Sequence, residues 1–213
     1  MKPSRLWHGL LALLALTGLA MELYVTIARH PEIWPERLLL YFSFFTTLTN
    51  MLVMVASAGI ARSRGNLHRW SCRPAARTAI SVYVSVVAII FQLLLAKQVP
   101  LTPIGWWGNL LVHRLVPAMW LSGWVVFGRH GGIARSAPLH WLTYPAVYAA
   151  WTFAHGAATG WYPYPFMNVA TRGGATVAAN MLLMALFFAV LGHTFRWIDA
   201  VLGQRSARIA PKA

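Results

Sequence analysis

Apolar residues fall in six long stretches along the chain, separated by short polar breaks. The stretches cover about 6–28, 38–61, 76–96, 106–127, 138–158 and 175–195. A helix needs about 20 mostly apolar residues to cross the hydrocarbon core of a bilayer, and each stretch meets that length. No charge interrupts the segment from Leu38 to Ala61. Pro31 with Pro35, Pro100 with Pro103, and Gly131 with Gly132 mark breaks between stretches. The connections run to roughly 9–17 residues, too short for a separate soluble domain. The pattern predicts an all-α integral membrane bundle of six transmembrane helices, one domain over 1–213.

Composition narrows the class. Of 213 residues, 58% are apolar and 10% charged, against roughly 25% charged in a soluble domain. Mean hydropathy is +0.56. These values exclude a soluble enzyme and a disordered basic tail. The net charge of +14 sits in short clusters beside the apolar stretches, with no basic stripe interleaved with recognition aromatics. It implies membrane lipids as partners and no nucleic acid. Cys72, the only cysteine, can form no internal disulfide and build no metal site alone.

The charges also orient the chain. With the N-terminus inside, 13 cations are internal: Lys2, Arg5, Arg62, Arg64, Arg69, Arg73, Arg77, Arg129, Arg135, Arg196, Arg205, Arg208 and Lys212. Four are external: Arg29, Arg37, Lys97 and Arg172; Arg114 lies within a span. The positive-inside rule then puts both termini in the cytoplasm. Lys2 and Arg5 resemble the start of a signal peptide. The stretch that follows is longer than the about 7–15 residues of such a leader and has no A-x-A site before Arg29, which favours an uncleaved helix. Trp34, Trp106, Trp107 and Trp161 at outer ends, and Trp70, Trp141 and Trp197 at inner ends, match an interfacial aromatic belt. No internal repeat suggests an inverted-repeat transporter.

Polar side chains inside the spans are few, and such groups usually face the interior of a bundle. They are Glu22, then Thr46, Thr47, Thr49 and Asn50, then Gln92, then Asn109, His113 and Arg114, then His155 and Asn180. At about 1.5 Å per residue, one group on every span lies roughly 8–14 Å below the predicted outer edge. Such a layer outlines a cavity open to the outer leaflet, with Gln92, His155 and Asn180 among its walls. Asn109 and His113 share a helix face at i,i+4, as do Thr46 and Asn50; Thr47 and Asn50 share one at i,i+3.

This set suits acyl transfer from a lipid ester. A threonine hydroxyl needs a base within hydrogen-bond reach, and His113 as neutral imidazole can accept its proton. Asn50, Asn109 or Arg114 can stabilise an oxyanion. Glu22 can orient the imidazole or pair with Arg114. Each residue also has a plainer role. Intramembrane threonines bond back to their own helix, asparagines join helices, a Glu22–Arg114 pair can be structural, and His155 near the interface is read as structural. The runner-up reading is therefore a non-enzymatic protein that binds a lipid or small amphiphile in the same pocket. No span carries a lysine for a retinal Schiff base, and nothing supports haem ligation by His113 and His155. No cofactor and no metal is implied.

Three segments carry a family resemblance: YFSFFTTLTN (Tyr41 to Asn50), NLLVHRLVPAMW (Asn109 to Trp120) and TGWYPYPFMNV (Thr159 to Val169). They resemble the bacterial Pr6Pr family of membrane proteins and, more distantly, the androgen-induced and androgen-dependent TFPI-regulating proteins. The latter are multi-span threonine hydrolases of fatty acid esters of hydroxy fatty acids. The resemblance implies a threonine nucleophile and a histidine in the bacterial inner membrane. The eukaryotic spacing, with asparagine three residues on, falls on Thr47; the bacterial spacing, four residues before the asparagine, falls on Thr46. The family histidine, shortly before a proline, falls on His113 before Pro117. Arg114 departs from the uncharged residue expected there, and the eukaryotic interval to the proline is one residue longer. The WYPYPF run, with Pro163 and Pro165 favouring an extended path, reads as a rim or lid over the opening or as an interfacial anchor.

Overall fold

Helix begins almost at the start of the chain because Pro3, which lacks an N–H, occupies the first helical position at no cost. The computed structural model describes residues 2–97 and 102–209, so Pro100 and Lys212 lie outside the described residues. Among the described residues every regular element is helical. The α-helices are α1 (Pro3–Ala28), α2 (Trp34–Phe42), α3 (Phe45–Arg62), α4 (Gly65–Ser71), α5 (Pro74–Ile90), α6 (Pro103–Leu110) and α7 (Val116–Phe127). They continue as α8 (Ala137–Trp141), α9 (Thr143–Thr159), α10 (Val169–Arg172) and α11 (Gly174–Ile209). One π-turn, Phe91–Leu95, extends α5, and a second, Leu111–Leu115, joins α6 to α7.

Among the described residues four helices are long and apolar enough to cross a membrane: Pro3–Ala28, Pro74–Leu95, Pro103–Phe127 and Gly174–Arg205. The stretch expected as one helix over 38–61 is instead two, α2 and α3, bent by 72°. Counted as one broken span it makes a fifth. The stretch expected over 138–158 divides into α8 and α9, and α9 alone has 17 residues, short for a crossing. Four or five candidate spans thus stand where the apolar pattern predicts six.

The α2–α3 bend has a local cause. Ser43 Oγ donates to the Leu39 carbonyl (2.9 Å), which competes with continued helix, and Phe44 is extended (φ −87°, ψ 131°). The Ser43 carbonyl left over accepts the Tyr148 hydroxyl at 3.0 Å. A break with its polar groups paired inside the protein is tolerated where lipid cannot pair them.

Two apolar clusters hold the bundle. Leu11, Ala15, Val53, Ile60, Val84 and Trp120 join α1, α3, α5 and α7 at one end. Phe45, Tyr83, Tyr148, Tyr164, Met167 and Phe188 join α3, α5, α9, α11 and the loop after α9 at the other. Buried indoles are paired: Trp120 donates to Ser81 Oγ (3.1 Å) and Trp124 to Thr78 Oγ1 (3.0 Å). The outer faces of α1 and α11 expose Leu6, Leu10, Leu13, Leu182, Leu183 and Leu186. An apolar surface of that extent needs a partner or a lipid around it.

Candidate active site

Pro117 shapes the site from the backbone up. It has no N–H, so the turn before it cannot keep an α-helical register. Val116 N–H instead bonds the Leu111 carbonyl, closing a π-turn over Leu111–Leu115. The next such bond, to the Val112 carbonyl, would need the missing Pro117 N–H. Asn50 Nδ2 fills the gap, donating to Val112 O (3.0 Å) and to Thr46 O (2.9 Å). One side-chain amide thereby ties the Thr46 turn of α3 to the His113 turn.

His113 is 9% exposed and sits in that π-turn. Its Nδ1 lies 3.2 Å from the Asn109 carbonyl. A carbonyl only accepts, so Nδ1 carries the proton and Nε2 presents a lone pair. Thr46 Oγ1 is 3.4 Å from Nε2 and donates to it. The ring stacks on Phe91 with centroids 3.7 Å apart, and Phe91 belongs to the other π-turn. A hydroxyl, a base and a group orienting the base are therefore in series.

Thr46 lies in the first turn of α3, immediately after the bend. The first N–H groups of a helix have no partner within it and carry a partial positive charge. Phe44, the N-cap residue, has no polar side chain to cap this end. The Tyr164 hydroxyl does interact there, with the N–H groups of Phe45 and Thr46 and with the Thr46 side chain. Tyr164 is 8% exposed. Burial raises its pKa, and these donors pull the other way.

Two cavities meet at this point. One, of about 350 Å³, is walled by apolar side chains that include Phe45, Val86, Ile90, Met181 and Phe188. The other, of about 370 Å³, is lined by Glu22, Arg29, Thr47, Asn109 and His113 among others. Thr46, Phe91, Leu95 and Tyr164 line both. Glu22 Oε1 is buried there without a hydrogen-bond partner.

The expected site residues divide accordingly. Thr46, Thr47, Asn109, His113 and Glu22 converge on the polar chamber. Asn50 does not act as an oxyanion donor, because both its N–H groups are taken by backbone carbonyls. Arg114 neither pairs with Glu22 nor reaches the chamber; it is exposed and donates to Gln92 Oε1 at 3.1 Å. Gln92, His155 and Asn180 line neither chamber. His155 lies 3.5 Å from Ser43 Oγ and stacks on Trp151. Asn180 Nδ2 donates to the Phe166 carbonyl (2.8 Å) and holds the WYPYPF loop against α11. Tyr164 and the α3 N-terminus were missed as site components; the aromatic–proline run was the signal for the first. No protein-family model, curated protein or solved structure matches the chain significantly.

Proposed function

We propose that the protein is an intramembrane hydrolase of lipid esters, of the type that joins a fatty acid to a hydroxy fatty acid, with Thr46 as nucleophile and His113 as base. The observation that carries this reading is the Thr46 Oγ1–His113 Nε2 contact of 3.4 Å at the junction of the two chambers. In the first half-reaction Nε2 takes the hydroxyl proton as Oγ1 attacks the ester carbonyl carbon. The negative charge that develops on the carbonyl oxygen is stabilised by the first-turn N–H groups of α3, once the Tyr164 hydroxyl yields them, and by the Asn109 amide. His113 then protonates the departing alkoxide, leaving an acyl group on Thr46. In the second half, His113 takes a proton from a water whose oxygen attacks the acyl carbonyl carbon; the bond from that carbon to Thr46 Oγ1 then breaks, and His113 returns the proton to Oγ1 as the free fatty acid leaves. The apolar chamber suits the acyl chain, and the polar one the alcohol arm.

The same reading takes α8 with α9 as a sixth span and places both termini in the cytoplasm of a bacterial inner membrane. The 13-to-4 cation asymmetry supports that orientation.

A fluorophosphonate probe tests the chemistry. Wild type and Thr47→Ala are expected to label, and Thr46→Ala and His113→Ala to lose labelling. No labelling of wild type, or labelling that survives Thr46→Ala, overturns the proposal and favours a protein that only binds lipid in these chambers.

A further inference from the structure

At the far end of α3 from Thr46, the start of α1, the turns flanking α4 and the end of α7 enclose a third cavity, of about 890 Å³. Lys2, Arg5, Arg69, Arg73, Arg77 and Arg129 line it, and no carboxylate does. The chain has only 4 acidic residues. Glu22, Glu32 and Glu36 belong to the opposite end. Asp199 is engaged by His130 Nδ1 (3.0 Å) and by the Gly131 N–H (2.9 Å).

Arg77 makes this more than a basic surface. It is 5% exposed, and every partner of its guanidinium is neutral. Nη1 donates to the Phe127 carbonyl (3.1 Å), and Nη2 donates to the Gly123 carbonyl (2.8 Å). Nη2 also lies 3.3 Å from His8 Nε2. His8 Nδ1 donates to the Ser4 carbonyl at 2.7 Å, which leaves Nε2 as an acceptor. Arg77 Nε is buried with no partner. A buried charge without a counter-charge is costly and is normally paired. The start of α5 adds to the field. Pro74 lines the cavity, no side chain caps the helix, and its first N–H groups have no intrahelical acceptor.

We infer that this cavity binds a phosphate group, with Arg77 as its buried anchor and Arg73 and Arg129 at its mouth. Several guanidinium groups lining one cavity match the many oxygens of a phosphate better than the two of a carboxylate. Two sources share that chemistry: the headgroup of an anionic phospholipid in the adjoining leaflet, and a phosphorylated solute. The site is independent of the chemistry at Thr46.

Thermal stability of the full chain in phosphatidylcholine nanodiscs tests the inference, with added phosphatidylglycerol in one arm and inorganic phosphate in the other. Chloride at matched ionic strength is the reference. Arg73 and Arg129 are exposed, so R73Q/R129Q leaves the core intact. R62Q/R64Q removes the same charge from exposed positions that do not line the cavity. Wild type and R62Q/R64Q are expected to be stabilised by at least one of the two ligands, with an affinity about tenfold weaker in R73Q/R129Q. Stabilisation by phosphatidylglycerol alone identifies a lipid headgroup, and stabilisation by phosphate identifies a solute. No stabilisation by either, or equal effects of the two double variants, overturns the inference.

Discussion

Thr46 and Thr47 are neighbours in sequence but about 100° apart around α3, and that angle separates their chemistry. Thr46 reaches His113 and faces both chambers, whereas Thr47 lines only the polar one. The same angle explains Arg114. It follows His113 by one residue, so it turns away from the site and meets Gln92. The hydroxyl–imidazole pairing was legible in the matching depths of spans two and four, but the sequence left Thr46 and Thr47 open and set Arg114 in the site; only the fold separates them. The role of Asn50 was not legible, because its partners are backbone carbonyls, one of them exposed by a proline five residues further along another helix. Asn50→Ala would leave Val112 O, and Thr46 O in part, unpaired in an apolar interior. A stability loss of about 1–3 kcal/mol is expected, seen as a lower Tm of the purified protein in detergent, together with loss of probe labelling. A Tm equal to wild type would mean that the amide does not clamp the two turns.

At the level of elements, the apolar stretches located the long helices, but not the short α4 and α10 between them, nor where helices break. The α2–α3 bend carries no glycine or proline; Ser43 and Phe44 make it, and they sit inside an uncharged apolar run. The loop after α9 was visible as an aromatic–proline run, but its seat was not. Tyr162 packs so tightly on α9 that a Cβ at Gly156 would stand 2.2 Å from its ring. Asn180 pins the same loop from α11. Tyr164 is thereby held over the first turn of α3. Gly156→Ala has to drive the Tyr162 ring from its place and shift the loop with it. The expected outcome is altered probe labelling, since Tyr164 no longer covers the Thr46 amides, with Tm lowered by a few degrees because the cluster around Tyr164 loosens. Unchanged labelling kinetics would mean that the loop plays no part in access to Thr46.

Across the whole molecule, the number of crossings decides which faces the two cavities meet, and contacts between distant parts of the chain bear on that number. Lys2 and Arg129 line one cavity, so the start of α1 and the end of α7 share an end of the bundle. His130, beside Arg129, bonds Asp199 of α11 at 3.0 Å, which brings the C-terminal part of α11 to that end too. A chain whose two ends share one end of the bundle crosses an even number of times. Among the described residues the four long helices and the bent α2–α3 pair make five candidates, and in the reading proposed above α8 and α9 supply the sixth. The 17 residues of α9 rise roughly 26 Å, a little less than the about 30 Å of hydrocarbon, and α8 ends two residues before α9 begins. The proposed reading puts that shared end in the cytoplasm, because it holds Lys2, Arg5, Arg69, Arg73 and Arg129. Reporters fused before Met1 and after Ala213 are both expected to read cytoplasmic, and one inserted after Gly160 to read external. Opposite readings at the two ends would leave five crossings and make α9 a re-entrant element. The Thr46 chambers would then lack the wall of spanning helix that separates an acyl chain from water.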